Sequence, residues 1–236
     1  MRKYKELINK HNEETAFVLG AGTSLYDIYQ DLHFQNIFKD VVISVNSSIM
    51  VTSWDTPDND KRYWISNDSL CRRWSWWKDV KKAQCTKVVR DSWLKYKDEL
   101  KDFLFFSPRP TSEDIVNPDD EGLCYCCSVA SGIDLAIQMG CSRIFVWGLD
   151  HDAPSGYHHF WQLFDKKYQP RQIKPAQGPW TQQKSVFPIH LKSYNALLKF
   201  AELRGVKIYN CSPLSKVNIF EKINSDWMWK IINESK

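Results

Sequence analysis

Two glycines and two hydroxyl residues stand together in the stretch AFVLGAGTSLYD, Ala16 to Asp27. Gly20, Ala21 and Gly22 end an apolar run and leave little side chain where a phosphate or sugar must approach the main chain. Thr23 and Ser24 then suit the cap of a following helix, whose free N–H groups and dipole attract an anion. A dinucleotide fingerprint asks for a third small residue and, about 20 positions on, an acid for the ribose. Leu25 and Asn46 hold those places, which argues against an NAD enzyme. No Gly-Lys-Ser/Thr follows, which excludes a Walker phosphate loop. The remaining polar residues fall at the ends of apolar runs: Asn46 in SVNSS, Asn67 and Asp68 in WISNDS, and Asp150 after IFVWGL. Amides at such ends suit neutral hydrogen bonding to a sugar, a base or phosphate oxygens. Ser131 and Gly132, in VASG, add a hydroxyl donor and a gap. Asp150 and Asp152, in DHD, have the D-x-D spacing of a divalent-cation site. Asp150 equally suits orienting a neighbouring histidine or closing its strand. YHHFW, Tyr157 to Trp161, supplies aromatics able to stack on a sugar or base, or to pack on one another.

These residues need a scaffold, and the apolar patterning provides one. Short β-branched or aromatic runs predict strands over 15–20, 41–46, 62–66, 86–90, 103–107, 143–149 and 207–212. Amphipathic spacing predicts helices over 2–11, 24–32, 69–83, 92–102, 126–140 and 191–204, with a short one near 218–223. The alternation implies an α/β fold with a doubly wound, mostly parallel, Rossmann-like sheet. Ligands in such sheets bind beyond the carboxyl ends of the strands. The 236 residues are expected to form a single α/β domain over 1–236, with 108–124 a long loop and 151–189 an inserted lid.

Composition is ordinary for a globular protein, with 43% hydrophobic and 25% charged residues. No apolar run approaches membrane length and the first residues lack a signal-peptide core, so a cytoplasmic protein without a membrane span is expected. Seven irregularly spaced cysteines, including the cluster CYCC, read as reduced thiols. The net charge of +4 is uneven: Arg72 to Lys101 holds ten basic against four acidic residues, interleaved with tryptophans. Arg73, Lys78 and Lys82 on that face suit an anionic acceptor. The competing reading is a tryptophan core behind a solvated basic face, since Leu70, Trp74, Trp77 and Val80 recur at helical spacing.

The order of motifs LGAGTSL, VISVNSS, WISND, SVASGIDLAIQMGCSRIFVWGLD, SGY, PIHLKS and KIYNCSPLSKVNIFEKI resembles the bacterial sialyltransferases of glycosyltransferase family 42. It is also similar to the related domain of flagellin-modifying nonulosonic acid transferases and of archaeal hydroxymethyl-dihydropterin pyrophosphokinases. The likeness runs over roughly residues 15–223, mainly in the 128–150 and 190–223 blocks. It departs at Ala21, where the sialyltransferases usually carry asparagine. The resemblance implies a transferase that moves a sugar from a nucleotide-activated donor to an acceptor hydroxyl. Gly20, Gly22, Asn46, Asn67, Ser131 and Gly132 would hold the nucleotide and its phosphate. Tyr157 would hydrogen-bond the departing phosphate, and His190 would serve as general base, a role that suits an imidazole. The sialyltransferases need no metal, so no cofactor is expected beyond the donor substrate, with a divalent cation as the D-x-D alternative. The acceptor stays open among a glycan, a protein hydroxyl and a hydroxylated DNA base. Two other readings stay open: an Mg-dependent, ATP-using pyrophosphokinase acting on a pterin-like alcohol, and a non-catalytic nucleotide-binding module.

Overall fold

The computed structural model describes residues 3–52, 59–109, 121–151, 159–163 and 179–234, with side chains from Phe187 onward in the last stretch. Its centre is one open sheet of eight parallel strands in the order β5-β4-β3-β2-β1-β6-β7-β8. The strands are β1 (Thr15–Leu19), β2 (Val41–Val45), β3 (Arg62–Ser66), β4 (Thr86–Arg90), β5 (Leu104–Phe106), β6 (Arg143–Trp147), β7 (Lys207–Asn210) and β8 (Glu221–Lys222). β1, β2 and β3 are buried at every residue, as parallel strands covered on both faces must be.

Alternate residues feed two cores. Val18, Ile43, Val45, Ile65, Ile144 and Val146 face α4 (Ser128–Gln138) and α5 (Pro179–Leu203). Phe17, Leu19, Val42, Phe145 and Trp147 point the other way, toward α1 (Leu25–Tyr29) and α6 (Ser225–Asn233). Farther along that side, Trp64, Trp76 and Trp93 pack with Val80 of α3 (Trp77–Lys82). The short α2 (Ile49–Thr52) follows β2 directly. The tryptophans of the basic segment thus build core, and Arg73, Lys78 and Lys82 lie exposed on its outer face. Leu70, expected on the same apolar stripe, is exposed instead, because 69–83 breaks into a 3-10 turn and α3.

Strand order reverses between β1 and β6, and both strands run parallel there. That reversal opens a crevice at their carboxyl ends. Main chains meet closely at its base. A Cβ on Gly20 would sit 2.5 Å from the Gly148 carbonyl oxygen, and Gly148 itself has φ +70°. The glycines after β1 and β6 are therefore required by each other. Among the described residues no helix is long and apolar enough to cross a membrane.

Three sequence expectations change. Residues 218–223 carry the two-residue strand β8 in place of a helix. The helices expected at 2–11 and 92–102 shrink to 3-10 turns, Tyr4–Leu7 and Asp91–Tyr96. α6, which the sequence reading did not anticipate, is amphipathic and capped by Asn224, whose side chain accepts the Trp227 N–H at 2.9 Å.

Candidate functional site

The crevice at the sheet reversal is a cavity of about 200 Å³. The loop after β1 contributes Ala21 and Gly22, and the end of β2 contributes Asn46. The start of α4 gives Cys127, Ser128 and Val129; the loop after β6 gives Asp150 and His151; α5 gives His190 and Tyr194. Five residues singled out from the sequence (Ala21, Gly22, Asn46, Asp150 and His190) therefore share one wall-to-wall space.

The glycine turn is already occupied. Asp150 accepts the Ser24 N–H at 2.9 Å and the Thr23 hydroxyl at 3.1 Å, and the Ser24 hydroxyl donates to its other oxygen. Ser24 does not cap α1 with its own side chain. A carboxylate from the neighbouring loop caps it, taking the place where an anion would sit. A Cβ on Gly22 would meet the Asp150 carboxylate at 2.6 Å, so this glycine makes room for Asp150. With both oxygens accepting hydrogen bonds, Asp150 is a structural clasp between β1 and β6. Asp152 and Tyr157 lie outside the described residues.

A second helix start faces the cavity, with no such carboxylate clasp among the described residues. α4 begins at Ser128, and Cys127 is its cap, with Sγ accepting the Ala130 N–H at 3.4 Å. The first N–H groups of a helix have no carbonyl partner inside it, and here they belong to cavity-lining Ser128 and Val129. Gly132 lies one turn further along, against the sheet, where a Cβ would come within 3.0 Å of Val18 and 3.3 Å of Val45. It lets α4 settle onto β1 and β2. Ser131 is fully buried and bonds to the side chain of Asn67 and the carbonyl of Cys124. Asn67 also gives its N–H to the Ser128 hydroxyl at 3.0 Å. Asp68 is exposed and caps a 3-10 turn through Leu70 N–H. Gly132, Ser131 and Asn67 position α4, Asp68 caps the neighbouring turn, and none of the four lines the cavity.

Asn46, directly after β2, and His151, in the loop after β6, hold left-handed backbone at φ 54° and 49°. Such conformations cost energy and gather at functional sites. The indole of Trp64 donates to the Asn46 carbonyl at 2.8 Å, which anchors the bend. The Asn46 side-chain oxygen is buried without a hydrogen-bond partner among the described residues, and so is Nδ1 of His190. Both residues line the cavity.

Behind them runs a polar chain that sequence reading missed. Tyr194 is fully buried, with its hydroxyl 2.9 Å from His151 Nε2 and 3.1 Å from Cys127 Sγ. The His151 and His190 rings lie 5.1 Å apart. His190 and Tyr194 are four apart on α5, so one helix face presents both. That i, i+4 spacing was the only signal available in the sequence.

Burial, and then the neighbouring His190, pushes the His151 imidazole down to about 4. A base whose folded value lies below its ordinary value near 6.5 is held neutral by the fold. Its contribution to stability is full above pH ~6.5 and is lost as pH falls through about 4. His151→Asn, which tolerates the left-handed backbone, should therefore flatten the fall in urea midpoint between those pH values. Parallel curves for mutant and wild type would contradict this.

Part of the lid expected over 151–189 is described. Phe160–Leu163 forms a 3-10 turn, with Phe160 and Trp161 buried and the Phe160 N–H bonded to the Ala21 carbonyl at 3.0 Å. Phe160 and Trp161 join the core on the α1 side of the sheet, and of residues 159–163 His159 lines the cavity. Residues 179–189 form the first turns of α5, with Pro188 inside the helix shortly before His190.

The fold has counterparts among solved structures. The MAf glycosyltransferase from Magnetospirillum magneticum AMB-1 matches 98% of this chain, with a TM-score of 0.55 and 14% identity. This chain spans 40% of that structure's length. The sialyltransferase CstII from Campylobacter jejuni, in complex with the substrate analogue cytidine-5'-monophosphate, matches 91% of this chain and 86% of its own. Its TM-score of 0.46 at 14% identity is too low to bear on the site. No family model and no curated protein sequence matches the chain. The likeness to the Magnetospirillum structure shows a glycosyltransferase-like, Rossmann-like α/β fold.

Proposed function

We propose that the chain is a glycosyltransferase that binds a nucleotide-activated sugar in the crevice between β1 and β6 and passes the sugar to an acceptor hydroxyl. The observation that carries this reading is the convergence in one cavity of a helix start, an imidazole and an amide oxygen without a partner among the described residues. The fold of a glycosyltransferase over nearly the whole chain supports it.

In this reading the donor phosphate sits at the start of α4, against the N–H groups of Ser128 and Val129, because Asp150 already fills the α1 start. Asn46 Oδ1 accepts a hydroxyl or amino hydrogen of the nucleoside. His190 takes the proton from the acceptor hydroxyl as its oxygen attacks the anomeric carbon and the nucleotide leaves with the bonding electrons. Tyr157 of the lid donates to the departing phosphate. Arg73, Lys78 and Lys82 form a basic face suited to an anionic glycan, protein or nucleic-acid acceptor.

The reading is tested by incubating the protein with CMP-, UDP- and GDP-activated sugars, with and without Mg²⁺, and measuring released nucleotide. One nucleotide class should be consumed, and consumption should quicken with the right acceptor. Intact donors throughout the panel, beside turnover of ATP with a pterin alcohol, would replace this reading with the diphosphate transferase.

A further inference from the structure

The thiol of Cys127 plays no part in the transfer just described, yet its surroundings differ from those of the other cysteines. It caps α4 and accepts the Ala130 N–H. It lies on the wall of the cavity beside His190, His151 and Tyr194. A polar chain reaches it. His151 is kept neutral by burial, so its Nε2 hydrogen can be given to the Tyr194 oxygen, leaving the Tyr194 hydrogen for the sulfur. Cys124 and Cys126 stand just ahead of α4, with their sulfurs 3.9 Å apart. The groups around the sulfur are thus Cys124 and Cys126 from the preceding loop, His190 and Tyr194 from α5, and His151 from the loop after β6.

We propose that Cys127 is a covalent modification site in the crevice, a nucleophilic thiolate that takes low-molecular-weight disulfides and other small soft electrophiles. With a disulfide RSSR, the Cys127 sulfur forms a bond to one sulfur, the S–S bond breaks, and RS⁻ leaves with the electron pair. With an alkyl iodide, an S–C bond forms and iodide leaves. In either case the adduct projects into the space where the proposed donor binds, a consequence that rests on the proposed function.

The acid–base environment agrees with this geometry. The hydrogen bond from Cys126 first, and then His190, Tyr194 and the Ala130 N–H, hold the Cys127 thiol below the ordinary thiol range against the effect of burial. The Cys126 thiol is raised in exchange. Burial pushes Cys85 up to about 11, Cys71 and Cys141 up to about 12, and Cys211 well above the ordinary thiol range. Those four are inert by the same reasoning that makes Cys127 reactive.

The test is brief alkylation of the native protein with iodoacetamide across pH 5 to 9, followed by peptide mass mapping. Cys127 should be labelled about 10²-fold faster at pH 7 than Cys71, Cys85, Cys141 and Cys211. Its rate should level off above pH 7, and an aromatic disulfide should give one mixed disulfide at the same residue. Tyr194→Phe, which removes the hydroxyl and keeps the ring, should move the midpoint of the rate to higher pH. First labelling at another cysteine, or a Cys127 rate still climbing tenfold per pH unit through pH 8, would overturn the proposal. A nucleotide bound in the crevice should slow the labelling. Selective labelling of Cys127 that no nucleotide slows would leave the thiolate standing and overturn the donor site.

Discussion

His190→Ala is expected to lower the rate of sugar transfer by about 10²–10⁴, the usual contribution of a positioned general base, with nucleotide affinity nearly unchanged. The argument is geometric. His190 lines the cavity from α5, and its buried Nδ1 has no hydrogen-bond partner among the described residues. A histidine serving only as packing would have its buried nitrogen satisfied. In the proposed reading the nucleotide is held by Asn46 and the main-chain N–H groups of the α4 start, which removal of the imidazole leaves in place. A parallel loss of affinity and rate would assign His190 to donor binding. Near-normal turnover would move the base to His151 or His159, which line the same space.

The largest effect on stability is expected at the buried ion pair behind the α4 start. Arg109 Nη2 meets both oxygens of Asp134, at 2.6 and 2.5 Å, and both side chains are fully buried. Asp134 also accepts the Cys124 N–H at 2.6 Å and the Gln138 amide at 2.9 Å. The carboxylate thereby ties the chain after β5, and the loop leading to Cys127, to the middle of α4. Asp134→Asn keeps the volume and removes the charge, leaving the guanidinium buried over the Phe200 ring without its counter-ion. Removing one partner of such a pair costs about 3–5 kcal/mol, which should show as a large drop in urea midpoint. The double replacement Arg109→Met with Asp134→Leu should recover most of that loss, because no charge then remains buried. A single mutant as stable as wild type would show that the pair is dispensable.

Much of the scaffold is readable from the chain, and particular residues show why. Parallel strands buried on both faces are continuous apolar runs, so AFVL, VVISV and IFVW announce themselves. β8 does not, since Glu221 and Lys222 are exposed and held by main-chain pairing with Tyr209 and Asn210. α6 is short, and its one local signal is the Asn224 cap. The site divides in the same way. The glycine turn is legible, but its occupant is not, because Asp150 approaches from 126 residues away. Gly132 and Ser131 stand in a recognisable motif, yet their surroundings show packing against Val18 and a bond to Asn67. Cys127, His151 and Tyr194 come from three separate elements, and no spacing rule joins them before the chain is folded.

The central claim is that a nucleotide phosphate binds at the start of α4, and one variant isolates it. Val129 lines the cavity at the second position of the helix. An aspartate there is favourable to the helix itself, since acidic groups suit a helix N-terminus, but it sets a negative charge against the phosphate. The measurement is the thermal midpoint of wild type and Val129→Asp with CMP, UDP, GDP and ATP, since a ligand that binds only the folded state raises it. The account predicts that at least one nucleotide stabilises the wild type and that the shift vanishes in Val129→Asp, each shift being taken from that protein's own ligand-free midpoint. A shift of equal size in both proteins, or none in either, would contradict it.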